Sequence, residues 1–487
     1  MSKADKAIDL VEVARQVVEQ NGFRVDLPAD ADRTIPSADP DRGGVDLRDR
    51  PWSSIDNDES RDLDQIEVAE RMDGDRIRVL IAIADVDALV PRGSPIDQLA
   101  AHNTTSLYTG IRVFPMLPEA LSTGRTSLLE GEDRLAVVTE MVVLADGSLD
   151  DGATRIYSAR VRNRAKLTYD AVGAWLEAGA NRRLGEHPAE IADQVRLHDQ
   201  AAQRLRRRRF ERGALELETI EARPVARDGE IVDLEVAHKN RARELVEDLM
   251  IAANGATARY LEARGFASIR RVVRAPRRWP RIVELARELG AELPAEPSAP
   301  ALAGFLAERR RADPARYPDL SLSVVKLLGP GEYAVQRAAE PDQGHFGLAV
   351  EDYAHSTAPN RRYADLVTQR LLLAAAAAAP TPYTDDELVA IAARCTERED
   401  AARKVERTMR KVGAAVLLSS RVGETFDAIV TGATGKGTFV RLIHPPAEGR
   451  VVSGEGGLDV GDPVRVRLLA TEPLRGFIDF AAVAPPP

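Results

Sequence analysis

One short stretch of the chain, residues 54–65, is dense enough in carboxylate to do chemistry. Its sequence, SIDNDESRDLDQ, holds five acids within nine residues: Asp56, Asp58, Glu59, Asp62 and Asp64. These side chains repel one another unless a cation or an arginine neutralises them. Because the donors are all oxygens, without nearby His or Cys, the stretch predicts binding of a hard ion such as Mg²⁺, Mn²⁺ or Ca²⁺ rather than zinc.

Three interpretations of this acidic stretch stay open from the residues alone. It could be a solvated turn, although apolar strand-like runs flank it. It could be a calcium loop, because oxygen side chains occupy alternate positions from Asp56 and Glu67 stands at the twelfth, but Arg61 takes the sixth position, where such a loop needs glycine. It could instead serve phosphoryl chemistry, in which carboxylates hold Mg²⁺ ions that activate water and stabilise charge on the phosphorus oxygens.

The phosphoryl interpretation needs a cationic partner for the phosphate, and a segment far along the chain offers one. In APNRRYADL, Arg361 and Arg362 stand between a proline and the start of an apolar helix. A guanidinium there could bind a phosphate through two parallel hydrogen bonds. The preceding residues, GHFGLAVEDYAHSTAPN, include glycines, histidines and aromatic residues that a packed core does not explain.

The composition indicates a globular protein of a reducing compartment. The chain has 487 residues, of which 44% are hydrophobic and 30% charged, and a single cysteine, Cys395, which cannot form an internal disulfide. Charged residues interrupt the N-terminal region where a signal peptide would be apolar. The longest apolar run, residues 371–379, is far below the roughly 18 residues that a membrane span needs. We therefore expect a cytoplasmic protein without a membrane segment.

Periodicity predicts the elements that would position the acidic stretch. An amphipathic helix is expected over residues 5–20, followed by a linker over residues 26–50. Directly after the acidic stretch, residues 66–70 and 76–86 are predicted to form two strands, joined at Asp73-Gly74 as a hairpin. The acidic stretch would then be a loop that leads into an antiparallel hairpin.

The rest of the chain is predicted to complete one mixed α/β domain and to add a barrel. Strands are expected near residues 135–144 and 158–163, mostly helical sequence over residues 169–320, and one long helix over residues 384–418. Alternating strands punctuated by glycine follow, and they predict a barrel of about 65 residues of the OB type, a fold that commonly binds single-stranded nucleic acid.

With these segments in view, the chain resembles the ribonuclease II and ribonuclease R family of exoribonucleases, which is defined by the RNB catalytic domain. The matching segments are DLRDRPWSSIDNDESRDLDQ, RVLIAIADVDALVPRGSPID, FPMLPEALS, ELVEDLMIAAN and GHFGLAVEDYAHSTAPNRRYADL, in the family's order. The resemblance implies a mixed α/β fold, with an RNB domain of antiparallel sheets and helices over residues 46–418 and an OB-type RNA-binding barrel over residues 422–484. Residues 1–45, a helix and a linker, stand where the family usually has cold-shock barrels.

The resemblance also implies an activity. It is the hydrolytic, processive removal of nucleotides from single-stranded 3′ ends of RNA, which releases nucleoside 5′-monophosphates. The enzyme would act as a monomer with Mg²⁺, or with Mn²⁺ in its place. The family's metal positions fall on Asp56, Asp62, Asp64 and Gln65, and its catalytic positions on Asp62, Asp64 and Arg361. Among these we expect Asp64 to matter most for catalysis.

Further residues would contact the RNA by the same resemblance. Tyr108 would stack on the 3′-terminal base, a contact that tolerates any base. Tyr169 and Glu247 would contact the sugar edge, where the 2′-hydroxyl has to be recognised. Arg362 would also bind RNA, and Glu406 would assist release of the product.

One position departs from the family pattern, because Gln65 stands where a fourth aspartate is usual. An amide oxygen can still bind Mg²⁺ but brings no charge, which would weaken or reshape one ion site. The alternative function is therefore a catalytically impaired RNB-fold protein that binds RNA without degrading it.

Overall fold

The computed structural model describes residues 9–27, 34–218, 222–227, 230–236, 239–314, 316–338, 340–341, 343–434, 437–458 and 460–483. The helices α1 to α10 are Leu10–Gln20, Pro95–Asn103, Tyr169–Glu177, Ala189–Glu211, Arg241–Glu262, Trp279–Glu288, Ala299–Ala312, Tyr317–Leu328, Tyr363–Ala376 and Asp385–Leu418. The strands β1 to β18 are Val45–Asp46, Ser53–Asp56, Gln65–Met72, Arg76–Ala84, Leu107–Tyr108, Val113–Phe114, Asp133–Val143, Arg155–Arg162, Ala165–Thr168, Ala222–Arg227, Glu230–Val236, Ser268–Val272, Glu332–Gln336, Thr425–Thr434, Gly437–Leu442, Glu448–Ser453, Pro463–Glu472 and Phe477–Val483.

A seven-stranded sheet in the order β1-β8-β7-β4-β3-β2-β9 forms the centre of the larger domain. Its strands pair antiparallel, except that β1 pairs with β8 and β2 with β9 in parallel. The predicted hairpin is confirmed, because β3 and β4 pair across a turn in which Gly74 and Asp75 have φ of 72° and 57°. Such positive φ values suit the turns that match the twist of a hairpin. The acidic stretch therefore enters the sheet directly at β3.

Apolar side chains cover both faces of this sheet. On one face, Ile66 and Val68 of β3 share a buried cluster with Leu366 of α9. On the opposite face, Ala69 of β3 shares another buried cluster with Leu249 of α5. A strand that is buried on both faces reads as an almost continuous apolar run, as β4 does. The first residues of β3 consequently lie between two packed layers, away from bulk water.

The C-terminal residues form a closed barrel, with its strands in the order β14-β15-β16-β18-β17. Its core includes Phe426, Val440 and Phe480, and it extends to Ala415 and Leu418 at the end of α10. The predicted fold class, a mixed α/β domain followed by a small OB-type barrel, is confirmed. The long helix predicted before the barrel is also present, as α10.

The N-terminal helix packs on the main body, as its amphipathic pattern predicts. Asp9 caps α1 by accepting hydrogen bonds from the N–H groups of Val11 and Glu12 at 3.1 and 3.0 Å. The apolar face of α1, which includes Ala14, shares a buried cluster with Val405 of α10. Residues 5–8 of the predicted helix lie outside the described residues.

Residues 169–320 are mostly helical, as predicted, but strands interrupt the helices in two places. A hairpin of β10 and β11 interrupts the helices, and β12 pairs with β13 further on. The hairpin is stabilised by contacts that are distant in sequence, since Ile231 joins a buried cluster with residues of α10. Its sequence signal is Asp228-Gly229 between alternating apolar residues.

The apolar run of residues 371–379 overlaps the end of α9. No described helix has the length and apolar character to cross a membrane.

Arg370 of α9 is a buried ionic centre, and replacing it is expected to destabilise the fold. Its side chain, only 4% exposed, pairs with Asp87 and Asp97 at 2.8 Å each and also donates to the Tyr383 hydroxyl and the Val90 carbonyl. In Arg370→Met, Asp97 loses its buried cation and Asp87 keeps only its pair with Arg42, so we expect the free energy of unfolding to fall by about 3–5 kcal/mol. Urea unfolding followed by circular dichroism measures this loss.

The matched control is Arg281→Met. Arg281 pairs with Glu284 on the exposed surface of α6, and such surface pairs contribute about 0–1 kcal/mol. Equal unfolding free energies for the two variants would contradict the structural role given to Arg370.

Candidate active site

The acidic stretch forms the loop between β2 and β3. Asp56, the last residue of β2, accepts a hydrogen bond from the Ser60 hydroxyl at 2.7 Å. Ser127 fixes the other end of the loop, because its hydroxyl donates to the Arg61 carbonyl at 2.6 Å and accepts from the Leu63 N–H at 2.9 Å. The acids are thereby held at one end of the central strands.

Asp64 is the most enclosed acid of the loop, with 2% of its surface exposed. The backbone N–H of Asn360 donates to its Oδ1 at 3.0 Å, and Nε of Arg361 donates to its Oδ2 at 3.1 Å. Burial raises the pKa of Asp64 to about 7, although the charge of Arg361 opposes this rise. The loop is therefore joined to a segment 297 positions further along the chain.

The segment before α9 presents Arg361 to the loop. Thr126 donates to the side-chain oxygen of Asn360 at 2.6 Å, and the Ser106 N–H donates to the Arg361 carbonyl at 3.0 Å. Because the Arg361 side chain remains 41% exposed, it can contact Asp64 and a ligand in the cleft at the same time.

Arg362 is placed differently from its neighbour. Its Nε and Nη2 donate to the two carboxylate oxygens of Asp365 at 2.8 and 2.7 Å. Asp365 lies in the first turn of α9 and is fully buried. The structure thus engages the guanidinium of Arg362 in a bidentate ion pair within the chain.

Tyr108 lies beside the acidic loop with 42% of its surface exposed. Its hydroxyl donates to Oδ2 of Asp62 at 3.0 Å, and its N–H donates to Oε1 of Glu406 at 3.4 Å. Tyr108 belongs to β5, whereas Glu406 belongs to α10. Three residues predicted from distant parts of the sequence are therefore in contact, with an aromatic ring next to Asp62.

Tyr169 begins α3 on another side of the loop. The guanidinium of Arg243 lies over its ring, 4.3 Å from the centroid, and donates to the side-chain oxygen of Asn57 at 2.9 Å. Burial raises the pKa of Tyr169, and the negative charges of Asp56 and Glu67 raise it further. One turn of α5 beyond Arg243, Glu247 pairs with Lys239 at 3.0 Å, and this places the predicted RNA contact in a surface ion pair.

Gln65 and Glu67 are neighbours on one face of β3. Residues two apart in a strand point to the same side, and both side chains are buried. Burial, together with the negative charge of Asp56, raises the pKa of Glu67 to about 8. Neither carboxyl oxygen of Glu67 has a hydrogen-bond partner among the described residues.

The donors of the loop fit a hard divalent cation by type, but they are not grouped around one point. Over the described ranges, no three His, Cys, Asp or Glu side chains are arranged to hold a metal ion. The acids contact protein donors instead: Asp64 contacts Arg361, Asp62 contacts Tyr108 and Asp56 contacts Ser60. The available ligands are all oxygens, which Mg²⁺ prefers, and the two buried oxygens of Glu67 have no described protein donor.

Arg243 is a residue of the site that local sequence pattern does not reveal. It lies four positions before Glu247 on α5, and residues at this spacing share one helix face. A role for Glu247 in RNA binding therefore draws attention to Arg243. Glu67 has a clearer signal, because it is an acid in an otherwise apolar stretch of strand.

Profiles of two known domains match the chain. The RNB domain matches residues 45–378, which is more than half of the chain. The RNase II-type exonuclease C-terminal S1 domain matches residues 424–483, where the barrel lies.

Curated proteins named ribonuclease R are similar over nearly the whole chain. Ribonuclease R of Escherichia coli strain K12 is 31% identical over 517 residues, which cover 96% of this chain and 60% of that protein. Ribonuclease R 1 of Lactococcus lactis is 28% identical over 511 residues, which cover 98% of this chain and 61% of that protein. The chain thus spans about three fifths of the length of these relatives.

Two solved structures share the fold. RNase R of Mycoplasma genitalium in complex with ribose-methylated single-stranded RNA has a TM-score of 0.87 at 23% identity, covering 98% of this chain and 78% of that one. Yeast Ssd1, described as a pseudonuclease, has a TM-score of 0.71 at 14% identity, covering 90% of this chain and 55% of that one. Since the same architecture occurs in a nuclease and in a pseudonuclease, activity has to be argued from the site.

Proposed function

This chain belongs to the RNB-domain family, and on that premise we propose that it is a hydrolytic 3′-to-5′ exoribonuclease that acts on single-stranded RNA. The observation that carries the proposal is the contact between Arg361 and the buried Asp64, which joins an acidic loop to a partly exposed guanidinium. Carboxylates and a guanidinium are the groups that phosphodiester hydrolysis requires, for a metal ion and for the phosphate respectively. The similarity to proteins named ribonuclease R supports the same activity.

A divalent ion would be held by Asp56, Asp62, Asp64 and the amide oxygen of Gln65. Mg²⁺ suits these oxygen ligands, with Mn²⁺ as the alternative. When bound, such an ion lowers the pKa of a water molecule and neutralises charge on the phosphorus oxygens. Arg361 would hold the scissile phosphate through parallel hydrogen bonds while remaining next to Asp64.

The residues around the loop suit the end of an RNA strand. The exposed ring of Tyr108 offers a stacking surface beside Asp62 for the terminal base. Tyr169, Arg243 and Glu247 would line the path of the sugar edge, where the 2′-hydroxyl distinguishes RNA from DNA. Glu406, in contact with the Tyr108 N–H, would assist departure of the released nucleoside 5′-monophosphate.

The barrel would hold the rest of the strand and make degradation processive. Phe439 and Phe477 are exposed on it, and exposed aromatic rings bind single-stranded nucleic acid by stacking on its bases. We accordingly assign catalysis to residues 46–418, RNA capture to residues 422–484, and a helix and linker to residues 1–45. The enzyme would act as a monomer in the cytoplasm.

Removing the ring of Tyr108 is expected to weaken binding of the RNA 3′ end. In Tyr108→Ala the affinity for a short single-stranded RNA should fall by about 1–3 kcal/mol, which is the usual contribution of stacking on one base. Fluorescence anisotropy measures this affinity. All the proteins compared carry Asp64→Asn, so that the RNA stays intact. Tyr108→Phe is the matched control, because it keeps the ring and loses only the hydrogen bond to Asp62. If the alanine and phenylalanine variants bound RNA equally well, the stacking role would be wrong.

The activity is tested with RNA labelled at its 5′ end, incubated with the protein and Mg²⁺, with RNA binding measured in parallel without metal. Because degradation is proposed to be processive, we expect full-length RNA to be converted into a short 5′-labelled end product with few intermediates, and no degradation of DNA of the same sequence. Gln65 favours one alternative, a catalytically impaired RNA-binding protein, since an amide brings no charge to the ion site. Full-length RNA that persists while bound to the protein would support that alternative and overturn the exonuclease proposal.

A further inference from the structure

Glu67 is a buried carboxyl group that the fold does not satisfy. The residue is 1% exposed, and neither Oε1 nor Oε2 accepts a hydrogen bond from a donor that the structure describes. Buried polar side chains nearly always have a partner, and an unpaired buried carboxyl group is costly. A valine or leucine at this position of β3 would avoid the cost. An acid at this position is therefore best explained by a bound ligand that contacts its oxygens.

The position of Glu67 places this ligand at the acidic loop. Glu67 pairs with Ser53 of β2, three residues before Asp56 at the end of that strand. The charge of Asp56 acts on Glu67, and both carboxylates act on the hydroxyl of Tyr169. Glu67 also shares its face of β3 with Gln65, two residues nearer the loop. Asp56 at the end of β2, and Gln65 and Glu67 at the start of β3, thus flank the acidic loop.

The described groups around Glu67 leave its carboxylate without a neutralising partner. Gln65 supplies an oxygen but no charge, and neither carboxyl oxygen of Glu67 accepts a hydrogen bond from a described donor. Of the nearby guanidinium groups, Arg361 bonds Asp64, and Arg243 bonds Asn57 and covers Tyr169. A divalent cation between Asp56 and Glu67 would satisfy the orphaned oxygens, and the carboxylate of Glu67 would supply the negative charge that the amide lacks.

We propose that Glu67 is a metal-ligating carboxylate, which completes with Asp56 and Gln65 the site for a divalent cation. Only the use of that cation in hydrolysis rests on the proposed function. This role explains how the site keeps a charged ligand although residue 65 is an amide. Glu67 lies two residues further along β3 on the same face as Gln65, and its side chain is longer than that of an aspartate.

The test measures binding of Mn²⁺ alone to the full chain, without RNA, by isothermal titration calorimetry. Glu67→Gln keeps the shape of the side chain and removes its charge, and we expect the affinity for Mn²⁺ to fall by about 10-fold or more. Gln65→Asp combined with Glu67→Gln should restore most of that affinity. Glu70→Gln, in the same strand but paired with Arg78 away from the loop, is the matched control and should bind Mn²⁺ like the unaltered chain.

A thermal readout separates ligation from a structural role. Mn²⁺ that binds only the folded state raises Tm, and this rise should be reduced in Glu67→Gln. If Glu67 only fills space, the substitution changes Tm without metal but leaves the rise intact, and that result would overturn the proposal. Where Glu67→Gln does not fold, Glu67→Leu is measured in the same way.

Failure of this inference differs from failure of the proposed function. RNA shortening by the unaltered chain, with equal Mn²⁺ affinities in the unaltered chain and Glu67→Gln, would reject only the role of Glu67. Mn²⁺ binding that depends on Glu67, in a chain that never shortens RNA, would uphold the inference and reject the exonuclease.

Discussion

Asp64→Asn is expected to lower the rate of RNA hydrolysis by about 10³-fold or more, because a metal ligand and its charge contribute several kcal/mol to the transition state. The amide is nearly the same shape as the carboxylate, so its oxygen can still accept the N–H of Asn360, which donates to Asp64 at 3.0 Å. The fold should therefore persist. RNA affinity should remain or increase, since the substitution removes a negative charge close to a polyanion. Single-turnover hydrolysis and anisotropy measure the two effects.

Glu59→Gln is the matched control for this variant. Glu59 lies in the same loop and loses the same charge, but its side chain is exposed. We expect its rate of hydrolysis to stay close to that of the unaltered chain. A normal rate in Asp64→Asn, or an equal loss in both variants, would show that Asp64 has no special role.

Arg361→Met should have the second largest effect. Removing a donor aimed at developing charge lowers kcat by about 10²–10³-fold. KM for a long RNA should change little, because the scissile phosphate is one of many phosphates that the protein contacts. Steady-state kinetics on a long single-stranded RNA separates the two parameters.

Arg361→Lys distinguishes the geometry of the guanidinium from its charge. Lysine keeps the positive charge but cannot form two parallel hydrogen bonds with a phosphate. We expect it to recover only part of the lost kcat. Full activity in Arg361→Lys would mean that charge alone matters, and full activity in Arg361→Met would remove Arg361 from the catalytic site.

Local signals were enough to predict much of the fold. The Asp73-Gly74 turn and the alternation around it predict the β3–β4 hairpin, and the long helical period before the barrel predicts α10. The β10–β11 hairpin could not be predicted as easily, because its buried residue Ile231 is stabilised by packing on α10, far away in the sequence. Tertiary contacts of this kind override local propensity.

The candidate site, too, could be predicted from local sequence only in part. The density of acids in the loop predicts a cation from the residues alone. By contrast, the contact of Arg361 with Asp64 and that of Tyr108 with Asp62 join segments that no local pattern relates. Only the family resemblance links these residues before a structure is available. The orphaned oxygens of Glu67 are visible only in the packed structure, since burial without a partner is a tertiary property.

Hydrolysis from the 3′ end is tested by identifying the first product released from RNA that carries its label on the 3′-terminal nucleotide. The unaltered chain with Mg²⁺ should release the label at once as a nucleoside 5′-monophosphate, resolved by thin-layer chromatography, and chelation of the metal should stop the release. A site made of the acidic loop and Arg361 that hydrolyses from the 3′ end requires this result. Label that stays in full-length RNA bound to the protein, or that first appears in fragments of several nucleotides, would contradict it.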